Sequence, residues 1–358
     1  MASTDLLDEQ PVAGPLVPRL GVPLALPRIV FGGGALSPQY QTDELLSGDS
    51  PLRTVQLALR YGINAFDTSF PRSSYQLMTK CGRYGTFDFD YTPATIRNSV
   101  KQSLERLHAD YFDVVHLHDV EFVCEEVTPR RTGNHLSALD DDKEAYGLQE
   151  GDEGKIRGPG DQKILDAIAE LRKMQDEGLI KHIGITGYPL YTLLRLALLI
   201  LHNPPFKPVD VILSYSNLSL QSSTFLQFAP QLTGRAKVGQ LLAASPFSMG
   251  LLTDAGPPNW HPASPELRKA TINAATEVKE RGRSLADLAT GYCIRNTGGA
   301  IPLVVGLSTP REVHECVRVW REIEVGGGDD VSRVEQEDLV KKIFRDIGVL
   351  DWAWASPP

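Results

Sequence analysis

"FDTSFPRSSYQLMTKCG", Phe66 to Gly82, decides how many strands the chain holds. It opens on the end of one short apolar run, "NAFDTS", and closes on a second, "YQLMTK". Each run has the length and apolar character of a buried strand. Counting both completes a set of eight. Upstream, "RIVFGGGALS" (Arg28 to Ser37) is a β-branched run that ends in glycines. Ser50-Pro51 reads as an N-cap with Pro at the first helical position, Val55 and Leu59 repeat at i,i+4, and Gly62 stops that helix. Downstream, Thr92-Pro93 opens a helix with Ile96, Val100, Leu104 and Leu107 on one face. "FDVVHLHD" is a strand, and Asp161 reads as the cap of a helix whose apolar face runs from Ile164 to Met174. "IKHIGIT", "VDVILSY", "KVGQLLAAS" and "AIPLVVG" are the remaining strands. Between and after them the periodicity predicts helices over Leu190 to Leu201, Ser222 to Phe228, Pro265 to Arg281, Leu285 to Arg295 and Pro310 to Trp320.

Alternating strands and helices predict one α/β domain with a parallel sheet. Eight β-α units predict a (β/α)8 TIM barrel rather than an open doubly wound sheet. No GxGxxG follows the first strand, and "GGG" at Gly32 to Gly34 is not that fingerprint. The expected layout is an N-terminal extension over 1–27, a barrel over 28–323, and a linker, helix and tail over 324–358. Residues 121–162 form a long, acidic, glycine-rich insertion after a strand end, either a lid or a solvated loop.

The net charge of −9 and pI near 5.4 argue against nucleic-acid or anionic-membrane partners. Four cysteines without CxxC spacing predict reduced thiols in a cytoplasmic setting, with no zinc site and no disulfide framework. "MASTDLLDEQPVAGP" lacks the apolar run of a secretory signal. "LLRLALLIL" contains Arg195 and is too short to span a bilayer. A monomer or weak dimer is expected.

Taken in order, "YGINAFDTS", "MTKCGRYG", "DYFDVVHLHDVEF", "GLIKHIGITGYPL", "SYSNLSL", "AASPFSMGLLT" and "VVGLSTPREV" resemble the aldo-keto reductases, and most of all their sugar-dehydrogenase branch. The resemblance spans about Arg28 to Trp320. It implies a (β/α)8 barrel with its chemistry at the C-terminal mouth. It also implies oxidation of an aldose such as D-arabinose at C1 to the lactone, with NAD as oxidant. In this family a Tyr moves the proton, a Lys lowers its pKa, an Asp pairs with the Lys, and a His orients the substrate oxygen. Asp67, Lys80 and His118 match three of these four. His118 lies five residues after Asp113 (118 − 113 = 5). His116 shares its parity but sits deeper in the strand, where a buried structural role is the expectation.

The Tyr has no match. Asp67 to Lys80 spans 80 − 67 = 13 residues, and strand assignment leaves only Phe70 to Ser74 free. Five residues reach at most about 17 Å, one crossing of the barrel with no helix. The second strand-helix-strand unit is therefore truncated. Tyr75 lies five residues before Lys80 (80 − 75 = 5), so it is expected roughly 16 Å away, at the wrong end of the strand. Tyr84 and Tyr188 follow strand ends and are weaker substitutes. An uncovered barrel flank, at about 25 cal/mol per Å2 of apolar area, costs several kcal/mol.

The resemblance further implies a dinucleotide extended over the mouth. Its contacts are Gly33 after the first strand, Thr186 where the family has Ser, and Ser214 near the end of strand six. Gly187 stands where the family has Asn. The loop after strand seven supplies Ser245, Pro246, Phe247, Ser248, Gly250 and Leu251. Gly306, Ser308, Thr309 and Glu312 match the adenosine end of the site. Gly306 and Glu312 stand where NADP-preferring members carry cations, so NAD is expected and NADP disfavoured; Arg311 is the neighbouring cation that a one-residue shift would bring in. Two other readings stand beside the dehydrogenase: a non-catalytic dinucleotide-binding barrel, and an incomplete isoform of an active parent.

Overall fold

The computed structural model describes residues 10–21, 23–66, 75–326 and 330–357. Asp67, and with it the join at 67–74, lies outside them. Eight parallel strands form a nearly closed barrel: β1 (Ile29–Gly32), β2 (Ala65–Phe66), β3 (Gln76–Cys81), β4 (Phe112–His118), β5 (Ile180–Gly187), β6 (Val211–Tyr215), β7 (Gln240–Ala244) and β8 (Leu303–Gly306). Hydrogen-bonded neighbours run β1-β8-β7-β6-β5-β4-β3-β2. The β1–β2 seam carries no ladder among the described residues, but the rings of Phe31 and Phe66 meet across it at 5.2 Å.

The stretch that set the strand count supplies both β2 and β3, with Ala65 opposite Gln76 and Phe66 opposite Leu77. Only nine residues separate them (76 − 66 − 1 = 9), fewer than the dozen or so that a parallel crossover with a helix needs. The described connections carry helices: α2 (Ser50–Arg60, after the short α1, Asp43–Ser47), α3 (Pro93–Arg106), α4 (Pro159–Asp176), α5 (Leu190–Leu201), α6 (Phe225–Gly234), and the pair α7 (Pro265–Glu280) and α8 (Leu285–Asn296). α9 (Pro310–Glu324) follows β8, and α10 (Val331–Asp346) packs outside on α7 and α8.

Three elements depart from the sequence pattern for local reasons. The glycines after β1 leave the strand at Gly32 and form a 3-10 turn, Gly33–Leu36. α6 starts at Phe225 rather than Ser222. Ser222 Oγ and Thr224 Oγ1 lie 3.1 Å apart and Ser222 N donates to Ser219 Oγ at 3.2 Å, so these side chains compete with the helix ladder. α4 begins at Pro159, which puts Asp161 inside the first turn rather than at the cap. There it is fully buried and accepts from Arg195 Nη1 at 2.8 Å and Nη2 at 3.0 Å.

Two apolar layers result. The larger lies between strands and helices. The smaller fills the barrel and includes Val30, Ala65, Val114, Val211, Leu213, Leu242 and Ala244, with Met78, Tyr215 and Val304 packed against it. Leu24 and Leu26 of the N-terminal segment belong to this inner cluster and plug the barrel floor. Among the described residues, no helix is long and apolar enough to cross a membrane.

Candidate active site at the barrel mouth

Side chains alternate along a strand, so the inner cluster fixes which residues face the mouth. Met78 is inside, hence Lys80. Val114 is inside, hence His116 and His118. Lys80 is in register with His116, and His118 with Thr186. Tyr215 and Ala244 pair at the ends of β6 and β7, and Gly32 pairs with Gly306. The structure thus brings Lys80, His118 and Thr186 to neighbouring strand ends of one face. Ser214 has the opposite parity to Leu213 and Tyr215; its Oγ accepts from Asn217 Nδ2 at 2.9 Å.

Lys80 is exposed and makes no hydrogen bond or ion pair among the described residues. The His118 side chain is 32% exposed, with Nε2 3.6 Å from Asp119 Oδ2. Burial is the main cause that lowers its pKa to about 4; Asp119 pulls it up, and Lys80 and Arg83 pull it down. His118 is therefore a neutral base at neutral pH. His116 is 1% exposed with Nε2 unpartnered, and burial drives it to about 3. Gly82 closes β3 at φ +101, where a Cβ would meet Tyr91 Cε1 at 2.4 Å. That approach lets the Tyr91 hydroxyl donate to the His118 carbonyl at 2.8 Å.

No tyrosine hydroxyl bonds Lys80 among the described residues. Tyr75 is buried immediately before β3, at the opposite end of the strand from Lys80. The Tyr84 hydroxyl accepts from Gly82 N at 3.2 Å. Tyr188 lies under Trp354, with stacked rings 4.5 Å apart, and burial holds its proton firmly.

The loop after β7 is wound through successive positive φ values at Ser248, Met249 and Gly250 (49°, 55° and 90°), with Ser245 at 60°. Ser245 Oγ accepts from Met249 N at 2.9 Å, and Pro246 and Phe247 complete the turn. Ser248 is fully buried with an unpartnered Oγ, as is the Oγ of Ser216 after β6. Leu251 is buried in the core below. Gly33 sits in the 3-10 turn above β1. Thr309 caps α9 by accepting from Glu312 N at 3.3 Å; Glu312 Oε2 accepts in return from Ser308 N at 2.6 Å and Ser308 Oγ at 2.9 Å. Arg311 points outward, 85% exposed, and pairs with Glu315 at 2.9 Å.

The insertion is packed against α5 and the C-terminal tail. Tyr146 is fully buried, its hydroxyl is 2.8 Å from His135 Nδ1, and its ring meets Tyr191 of α5 at 4.9 Å. Gly133 exchanges two backbone hydrogen bonds with Ala353 of the C-terminal tail, at 2.8 and 2.9 Å. Glu121 joins these parts. Its Oε1 accepts from Tyr188 N at 2.9 Å and from Ser356 Oγ at 3.0 Å. Its Oε2 is unpartnered and lies 2.3 Å from where a Cβ at Gly187 would sit. A side chain at 187 would require this carboxyl to shift. Sequence reasoning passed over Glu121, Asp119, Arg83 and Trp354, because neither spacing nor composition shows contacts between loops and tail.

Burial, reinforced by Asp119, pushes Glu121 up to about 8. The folded state holds this proton more tightly than the unfolded chain does. Its contribution to stability is full below the ordinary carboxyl range and drains away as pH rises through about 8. Glu121→Gln is therefore expected to raise the melting temperature relative to the parent at pH 8.5 and to lose that advantage at pH 5. A parallel fall of both proteins across this range in thermal scans refutes the assignment.

A nearly closed parallel barrel with a lysine and a neutral histidine at neighbouring strand ends has the layout of a barrel enzyme whose site lies at the C-terminal mouth. The sequence model of the Aldo/keto reductase family matches residues 68–336, and the chain belongs to this family. It is 35% identical over 315 residues to L-galactose dehydrogenase of Arabidopsis thaliana, covering 82% of this chain and 85% of that protein. It is 33% identical over 353 residues to D-arabinose 1-dehydrogenase of Saccharomyces cerevisiae, covering 92% and 94%. Among solved structures, the holo form of an aldo-keto reductase from Bacillus halodurans superposes with a TM-score of 0.55 at 20% identity, covering 92% of this chain and 96% of that one. A glycerol dehydrogenase from Gluconobacter oxydans gives 0.55 at 19%, covering 92% and 94%. At these identities the two structures speak for the fold alone.

Proposed function

We propose that the protein oxidises an aldose such as D-arabinose at C1, releases the lactone, and uses NAD as oxidant. The observation that carries this reading is the presence of Lys80 and the neutral His118 at neighbouring strand ends on one face of the mouth. Its setting is a family barrel whose curated relatives are both named as sugar dehydrogenases. The residues fit a dinucleotide: the buried Ser216 and Ser248 hydroxyls lack partners, and Gly32 and Gly306 leave two strand ends without side chains. A bound nicotinamide would supply the acceptor for the hydride that leaves C1. The chain's own part is to remove the C1 hydroxyl proton onto the His118 imidazole, beside the positive charge of Lys80, which favours developing negative charge on that oxygen. Thr186 keeps a hydroxyl toward the mouth, and Asp67 remains the proposed partner of Lys80.

NAD is the proposed cofactor because Glu312 holds a carboxylate at the adenosine end and Arg311 is turned to Glu315. A 2′-phosphate there meets like charge. NAD is expected to bind at least about tenfold more tightly than NADP in fluorescence titration; tighter NADP binding sinks this assignment.

The absent phenol favours a second reading, an impaired barrel or incomplete isoform. Loss of one general acid–base group costs about 10^2 to 10^4 in rate, so slow turnover is expected. NAD reduction with D-arabinose and L-galactose tests both. Slow turnover that depends on His118 supports the first reading, and none with intact dinucleotide binding supports the second.

A further inference from the structure

We propose that Asp119, clamped by Arg83, is a positioning residue that orients the His118 imidazole and fixes which of its nitrogens carries the proton. This rests on reading the mouth as a proton-transfer site. Asp119 follows β4, is 2% exposed, and adopts a left-handed backbone (φ 58°, ψ 60°). That conformation is uncommon outside glycine, and Asp is among the residues that adopt it most readily. It turns the carboxylate back on the ring, with Oδ2 3.6 Å from His118 Nε2. That is too long for a hydrogen bond. It is close enough for the carboxylate to favour a proton on Nε2, which leaves the Nδ1 lone pair to accept.

The same Oδ2 accepts from Arg83 Nη1. The other nitrogens of Arg83 are committed as well: Nε donates to Gly85 O at 3.2 Å and Nη2 to Thr86 O at 3.1 Å. Phe89 and Phe122, stacked 4.6 Å apart, place their centroids 5.4 and 5.5 Å from the guanidinium carbon. Ring, carboxylate and guanidinium thus form a chain whose last member is anchored by main-chain carbonyls and two aromatic rings. Tyr91 holds the His118 carbonyl from the other side. Among the described residues, the charged and titratable groups around His118 include Lys80 from β3, Arg83 from the loop after it, and His116 beneath on β4. Glu121 and Tyr215 face Asp119 in turn. Asp119 and Arg83 therefore act on His118 with opposite signs.

The test is a histidine-selective NMR titration of the full chain, with the signal assigned by His118→Gln. Asp119→Asn is expected to lower the His118 midpoint by about one pH unit and Arg83→Gln to raise it by about as much. Asp119→Asn is also expected to remove the Nε2-protonated ring pattern. A purely structural role moves both variants the same way, together with their melting temperatures. Shifts of equal sign, or an unmoved midpoint in both, overturn the proposal. If Asp119→Asn fails to fold, the sign of the Arg83→Gln shift decides. The readout needs no turnover: absence of NAD reduction with every aldose overturns the dehydrogenase reading, and the titration still decides this one.

Discussion

Lys80→Met lowers kcat/KM for aldose oxidation by about 100-fold or more and leaves the melting temperature where it was. The split follows from its surroundings. Lys80 is exposed and holds no partner among the described residues, so its removal breaks no contact among them; surface substitutions of that kind stay within about 0.5 kcal/mol. Its charge acts on the site instead, where it lowers both His116 and His118. The acid limb of the rate profile is therefore expected to move to higher pH in the variant. Equal rates for the two proteins would return Lys80 to the status of an ordinary surface charge and sink the assigned mouth.

Asp161→Ala destabilises the protein by about 3–5 kcal/mol. Asp161 is fully buried and serves four donors: both terminal nitrogens of Arg195, Glu125 N at 3.2 Å and Arg157 N at 3.1 Å. Truncation leaves a buried guanidinium uncompensated inside the apolar helix α5 and frees both ends of the insertion. The double substitution Asp161→Ala with Arg195→Met removes both charges and is expected to cost clearly less than the sum of the two single changes. Additive losses in urea unfolding would mean that the pair is not coupled.

Much of the barrel was legible because its signals are local. "DVVHLH" and "IKHIGIT" are short runs rich in β-branched residues, as strands tend to be. Thr92-Pro93, Pro265 and Pro310 mark helix starts by the same backbone restriction everywhere. Lys80 and His118 were read from the resemblance as strand-end residues, and the fold puts both near strand ends. The rest depends on contacts between distant segments. Asp161 carried the composition of a cap, yet its place was set by Arg195, 34 residues on (195 − 161 = 34). Glu312 was read for its charge toward a ribose, and the fold also uses it to close the start of α9 through Ser308. "DWAWASPP" has no periodicity to read, and only the folded chain shows Trp354 lying on Tyr188.

The bridge between Gly133 and Ala353 joins residues 220 apart (353 − 133 = 220). Loop-closure entropy makes such a pairing late to form. Tail and insertion are thus expected to behave as a separate opening unit, whose amides exchange with solvent long before those of β4 and β5. Hydrogen exchange at Ala353 and Gly133 would then report a breathing motion of the mouth while the barrel beneath stays shut, and its frequency would set an upper bound on how fast anything enclosed there can leave.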